Sequence, residues 1–188
     1  LEKCTKEKYK RKVEDAIKLE KKIFGNAHTE NEYYDNMKRG LRIEIIYADI
    51  KQNEKVSSYP CAFIALFNRV DAQKITRHIW LYGVLPEMIG KGLMKSLFSR
   101  CFSGDPNFDS PCCSDEREYD KTDIISVHTY PDFYKEMFCL IKKYGFIEEK
   151  ELVGKYKGKG RFVRYVTTFA EIRKIMNSPS QICLLEIK

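Results

Sequence analysis

Nothing in this 188-residue chain is apolar for long enough to cross a bilayer as a helix. The opening residues, Leu1-Glu-Lys-Cys-Thr-Lys-Glu-Lys8, lack the apolar centre of a secretory leader. A cytoplasmic setting, or a nuclear one, is therefore expected, with no membrane among the partners. Histidine is scarce, occurring only as His28, His78 and His128. No two histidines lie close in sequence and no Cys-x-x-Cys pair occurs, so no metal centre is expected. The seven cysteines (Cys4, Cys61, Cys101, Cys112, Cys113, Cys139 and Cys183) are odd in number and scattered. That pattern fits reduced thiols and not a disulfide framework. Cys61, Cys101 and Cys139 sit in apolar patterns and read as small core residues. There is no internal repeat and no low-complexity tract. The net charge of +7 suffices to draw anionic ligands, but no nucleic-acid motif accompanies it, and nucleic acid is not expected as a partner.

What is present is the composition of a globular domain, 43% hydrophobic and 32% charged. Residues 6–24 carry an apolar stripe at helical spacing (Val13, Ala16, Ile17, Ile23, Phe24) that stops at Gly25-Asn26. A second short helix is expected over 30–39. Alternating patterns predict strands over 42–50, 60–70 and 75–84, with a polar turn over 51–58. A helix follows, its buried face marked by Leu93, Leu97, Phe98 and Cys101. Residues 103–123 hold seven acidic side chains against Arg117 and Lys121, with two prolines, and read as an acidic loop insertion. A strand over 123–128, a helix with Phe133, Met137, Ile141 and Tyr144 on one face, and a hairpin over 146–169 complete the core. Residues 170–188 form a C-terminal appendage.

The densest signal lies at Val84-Leu-Pro-Glu-Met-Ile-Gly-Lys-Gly-Leu-Met94. A β-prone run ends at a proline, two glycines follow one residue apart, and a helical pattern begins at once. The first N–H groups of a helix have no partner within it, and the helix dipole adds positive potential there. Such a turn is a cradle for phosphate. It is neither a P-loop, because Gly83 and Gly90 enclose six residues, nor a Gly-x-Gly-x-x-Gly turn, because Lys95 stands at the last position.

Val84-x-Pro86-Glu87-x-x-Gly90-Lys91-Gly92-Leu93 resembles the acetyl-CoA loop of the GCN5-related N-acetyltransferase (GNAT) superfamily. Ile141-Lys-Lys-Tyr-Gly-Phe146, after the strand-like Asp123–His128, resembles that superfamily's fourth helix and closing Gly-Phe. The resemblance implies a single acetyltransferase-like domain over 1–188, with its core at about 6–169. It implies an α/β (α+β) fold: a mixed, mostly antiparallel central sheet with helices on both faces and splayed fourth and fifth strands. A first strand near the N-terminus also belongs to that pattern.

The implied function is an acetyl-CoA-dependent N-acetyltransferase, moving an acetyl group to a primary amine by direct attack in a ternary complex. Acetyl-CoA is the implied cosubstrate, and Tyr82, Gly83, Val84, Ile89, Gly90, Lys91, Gly92, Leu93 and Met94 are the implied binding positions. The pyrophosphate donors would be the backbone of Ile89 to Met94, and the oxyanion donor a backbone N–H between Leu81 and Val84. The loop departs from the superfamily pattern at Ile89, in place of a polar residue, and at Met94, in place of a small one. Ile141 stands where a tyrosine often protonates the leaving thiolate.

The general base is open. Alternation puts Thr76, His78, Trp80 and Tyr82 on one face, and His78 is the first candidate. His128 is the second and Glu44 the third. Tyr130 and Tyr134 are the candidate acids. Lys155, Lys157, Lys159, Arg161 and Arg164 crowd the last hairpin, first as a solvated charged edge and second as an anion clamp. The acceptor also stays open among a small amine, an aminosugar phosphate and a protein amine, as does homodimerisation. The competing reading is a non-catalytic or weakly active module of the same fold that binds CoA or a protein.

Overall fold

The computed structural model describes residues 2–52, 55–71, 74–102, 124–132, 135–152 and 161–178. The 103–123 loop, Tyr134, the Lys157-Gly-Lys-Gly160 turn and the last residues lie outside that set. The chain divides into two compact units, Leu1–Asn68 with Trp80–Glu116, and Arg69–Ile79 with Arg117–Lys188.

In the first unit, helix α1 spans Glu2–Phe24 and buries Tyr9, Val13, Ala16 and Leu19, one stripe of an amphipathic helix. Gly25, at φ +80°, ends it, a conformation that favours glycine. Helix α2 spans Glu30–Met37 behind a capping box: Thr29 Oγ1 accepts from the Glu32 N–H, and the Glu32 carboxylate accepts from the Thr29 N–H at 2.7 Å. Strands β1 (Arg42–Gln52) and β2 (Lys55–Asp71) form a long antiparallel hairpin. Ile43, Ile45, Cys61, Phe63, Ala65 and Phe67 share one core cluster with the α1 stripe and Tyr33. The isoleucine and phenylalanine side chains among them each contribute roughly 1.5–3 kcal/mol on full burial. Arg42, opposite in alternation to Ile43, donates to the Arg100 carbonyl of helix α3 (Leu93–Phe102) at 3.3 Å. Helix α3 thus covers the other face, and Ala62, Ile64 and Leu66 of β2 are buried as well.

In the second unit, β4 (Ile124–Thr129), helix α4 (Lys135–Lys143), β5 (Ile147–Leu152), β6 (Phe162–Thr168) and helix α5 (Phe169–Met176) follow in order. Strand β3 (Lys74–Val84) begins in this unit and ends in the first. Helix α4 ends in a Schellman motif, with the Phe146 N–H donating to the Ile141 carbonyl and the Gly145 N–H to that of Lys142, at 3.2 and 3.1 Å. The Gly-Phe pair therefore has a structural cause. Gly145 sits at φ +77°, and an added Cβ would lie 2.8 Å from Ile175 Cδ1 of α5. The six strands are hydrogen-bonded in the order β1-β2-β3-β4-β6-β5, with β3 and β4 the parallel pair. This mixed, mostly antiparallel sheet with helices agrees with the expected fold class.

Three local expectations change. The polar stretch 51–58 is mostly strand around a narrower reversal between the paired Gln52 and Lys55, and its residues 56–58 are polar or exposed because that part of β2 faces solvent. Helix α3 buries Met94, Leu97, Phe98 and Phe102, while Leu93 and Cys101 are half-buried, so its inner face is turned slightly from the expected one. Cys139 is exposed on α4 and is not a core residue, unlike Cys61.

Candidate active site

The glycine turn is built from below by β2. Between Ile46 and Tyr47 the β1–β2 register shifts, from Ile46↔Ala62 to Tyr47↔Pro60, leaving Cys61 as an extra residue. This is a β-bulge, a place where proline is tolerated in a strand. The bulged residue's carbonyl accepts the Leu85 N–H at 2.9 Å. That bond fixes the chain just where β3 ends. One 3-10 turn over Pro86–Met88 follows, and then Gly90 and Gly92 at φ +83° and +72°. An added Cβ at either glycine would meet nothing within 4 Å, so the space beside the turn is open. Helix α3 starts with the Ser96 N–H donating to the Gly92 carbonyl at 3.1 Å. Gly90, Lys91 and Ile89 are exposed, and Gly92 and Leu93 are half-buried. The Lys91 ammonium lies 3.5 Å from Met88 Sδ.

Gly83 has a different reason to be glycine. A Cβ there would lie 2.9 Å from Ile23 Cδ1 and 3.4 Å from the Phe24 ring, so its absence lets α1 approach β3. Trp80 packs on Tyr33 and Phe67, in the same core cluster as Ile23 and Phe24. Tyr82 is buried, with its hydroxyl enclosed and without a hydrogen-bond partner, and burial pushes its pKa up.

The second unit gathers the two candidate histidines. His78 is 4% exposed, and its Nδ1 lies 3.0 Å from Ser126 Oγ. The His78 and His128 rings are tilted neighbours, 4.5 Å between centroids. Arg69 Nη1 lies 3.4 Å from His128 Nδ1. Phe162 bridges His128, at 5.5 Å, to Tyr130, stacked on it at 4.6 Å. His78, His128 and Tyr130 therefore form one aromatic cluster. Glu44, in the first unit, is committed to Arg42 at 2.9 Å. Of the basic hairpin, Arg161 pairs with Glu148 and Glu151 at 2.7 and 3.5 Å, and the buried Arg164 pairs with Glu149 at 2.9 Å. These two arginines are neutralised locally, which disfavours the anion clamp.

No protein-family model matches this sequence, and no curated protein matches it either. Solved structures do. The NatC complex bound to Gag peptide and CoA matches with a TM-score of 0.61 at 15% identity, over 84% of this chain and 90% of that one. Arabidopsis thaliana NAA60 in complex with acetyl-CoA matches with a TM-score of 0.57 at 16% identity, over 84% and 94%. A spermidine N-acetyltransferase SpeG chimera from Vibrio cholerae and hSSAT gives 0.54 at 16% identity, over 88% and 94%. The fold is that of the GCN5-related N-acetyltransferases.

Within this N-acetyltransferase fold, the departures at the glycine turn have a clear placement. Ile89 is 59% exposed. Met94, at 8%, is turned into the core and adds no bulk to the open side. Ile141 is fully buried, so a packing residue fills that position.

One constellation escaped the sequence reading. Glu20, 3% exposed, accepts three hydrogen bonds: from the His28 N–H at 3.0 Å, from His28 Nδ1 at 2.5 Å and from the Tyr33 hydroxyl at 3.2 Å. His28 lies against Trp80 at 4.7 Å. Its pKa is raised, first by the hydrogen bond to Glu20. The Thr29-x-x-Glu32 capping signature was legible and places His28 directly before the cap, but the distant Glu20 gave no sequence signal. No helix among the described residues is long and apolar enough to cross a membrane.

Proposed function

We propose that this protein is an acetyl-CoA-dependent N-acetyltransferase acting on a primary amine in a ternary complex, with residues 1–188 as one acetyltransferase domain. The observation that carries the reading is the turn at the start of α3, with two positive-φ glycines and open space where their side chains would be. The CoA and acetyl-CoA named with the NatC and NAA60 structures support it. The Ile89–Met94 backbone would hold the pyrophosphate, with Lys91 adding charge. Acetyl-CoA brings an activated acyl carbon. The chain's own groups supply the remainder: His78 takes the amine proton, a backbone N–H between Leu81 and Val84 donates to the developing oxyanion, and Tyr130 donates a proton to the leaving sulfur.

Calorimetric titration with acetyl-CoA, with desulfo-CoA and ATP as controls, tests this. Selective binding that Gly92→Asp abolishes, with an unchanged circular dichroism spectrum, is the expected result. Equal binding by wild type and Gly92→Asp would displace the cradle. The exposed Ile89 and the buried Ile141 favour a second reading, a CoA-binding module with little turnover. Binding without acetylation of any amine in a screen of polyamines, aminosugar phosphates and peptide N-termini would select it.

A further inference from the structure

Arg69 carries one group that can only donate and one that can only accept, and both face the histidine cluster. Its guanidinium has no acceptor atom. At 3.4 Å from Arg69 Nη1, His128 Nδ1 must therefore present its lone pair, and a neutral imidazole then carries its proton on Nε2. The Arg69 backbone carbonyl has no proton to give. Thr76 Oγ1 lies 3.4 Å from that oxygen and spends its one hydroxyl proton there. Toward Ser126 Oγ, also at 3.4 Å, Thr76 can then only accept, so Ser126 donates to it. Having spent its own proton, Ser126 can only accept from His78 Nδ1, at 3.0 Å. His78 must then be protonated on Nδ1.

We infer that the two neighbouring imidazoles are held in opposite tautomers: His78 with N–H at Nδ1 and its lone pair on Nε2, His128 with its lone pair on Nδ1 and N–H at Nε2. Thr76 and Ser126 are positioning residues that set the first, and Arg69 sets the second. This separates two candidates that the sequence could not rank by chemistry. His78 offers a basic nitrogen, whereas a guanidinium beside His128 opposes any further proton on that ring. The assignment of His78 as the base of acetyl transfer rests on the proposed function, but the tautomers do not.

Long-range ¹H–¹⁵N correlation spectra of the labelled full chain at mildly alkaline pH read the tautomers directly, with the rings assigned from His78→Gln and His128→Gln. The expected pattern is Nδ1–H for His78 and Nε2–H for His128. In Ser126→Ala, the His78 population moves to Nε2–H while His128 is unchanged, and Ser126→Thr restores the original pattern. In the acetylation assay, Ser126→Ala lowers kcat about tenfold, the worth of one orienting hydrogen bond, with KM for acetyl-CoA unchanged. An Nε2–H signal for wild-type His78, or no change in Ser126→Ala, overturns the inference. Correct tautomers in a protein that acetylates nothing would overturn the proposed function and leave this inference intact.

Discussion

The buried Glu20 gives a stability prediction that needs no knowledge of substrate. Tyr33→Phe removes a hydroxyl that donates to Glu20 at 3.2 Å and leaves the ring, 4.9 Å from Trp80, in place. Both residues are buried, so water does not replace the lost bond. A hydrogen bond to a charged group is worth about 1.5–3 kcal/mol. Glu20 keeps two shorter bonds from His28, at 3.0 and 2.5 Å, so the loss belongs at the lower end, about 1.5 kcal/mol. Urea unfolding followed by the fluorescence of Trp80, the only tryptophan, reports this cluster directly. The midpoint should fall with no change in slope. The same cluster sets a pH dependence. Because the folded His28 pKa lies above its ordinary value of 6.5, the charged pair contributes fully below that value. The contribution is lost as pH rises through the raised folded pKa. His28→Gln should flatten that alkaline decline. A Tyr33→Phe loss below about 0.5 kcal/mol, or a pH profile that His28→Gln leaves unchanged, would refute the account.

Gly145→Ala combines a left-handed backbone cost of about 1–2 kcal/mol with a Cβ 2.8 Å from Ile175 Cδ1 and 3.0 Å from Glu171 Cγ. It should destabilise the protein by at least the backbone cost in urea unfolding. Adding Ile175→Ala should recover only part of that, and full recovery would show that the backbone conformation costs nothing here. Cysteine reactivity should split by burial: peptide mapping after brief alkylation should find Cys139 modified and Cys61 protected, since Cys61 is fully enclosed and burial raises its thiol pKa. Equal labelling of the two in native protein would contradict the packing.

Periodic apolar residues made the helices and most strands readable, because burial of one face is a local pattern. The glycine turn was readable too, since strand, glycines and helix follow one another directly. What escaped was set by contacts across distance. The outer part of the β1–β2 hairpin looked like one long turn because its residues are mostly polar, as with the exposed Ser57 and Ser58. His28 looked unremarkable until Glu20 was beside it, and the order of protons through Thr76, Ser126 and His78 depends on a carbonyl that no sequence pattern marks.

The bulge at Cys61 separates what the pairing of the hairpin needs from what the glycine turn needs. Before it, paired residue numbers on β1 and β2 sum to 108, as in Ile43↔Ala65 and Ile45↔Phe63; beyond it they sum to 107, as in Tyr47↔Pro60 and Ala48↔Tyr59. Removing Cys61 itself would change no partner, because it is the one residue the pairing leaves out: Ile46↔Ala62 would be followed directly by Tyr47↔Pro60, and the bulge would close into a regular ladder. The deletion does remove the carbonyl that holds Leu85, so the hairpin would keep its partners while the glycine turn lost its anchor.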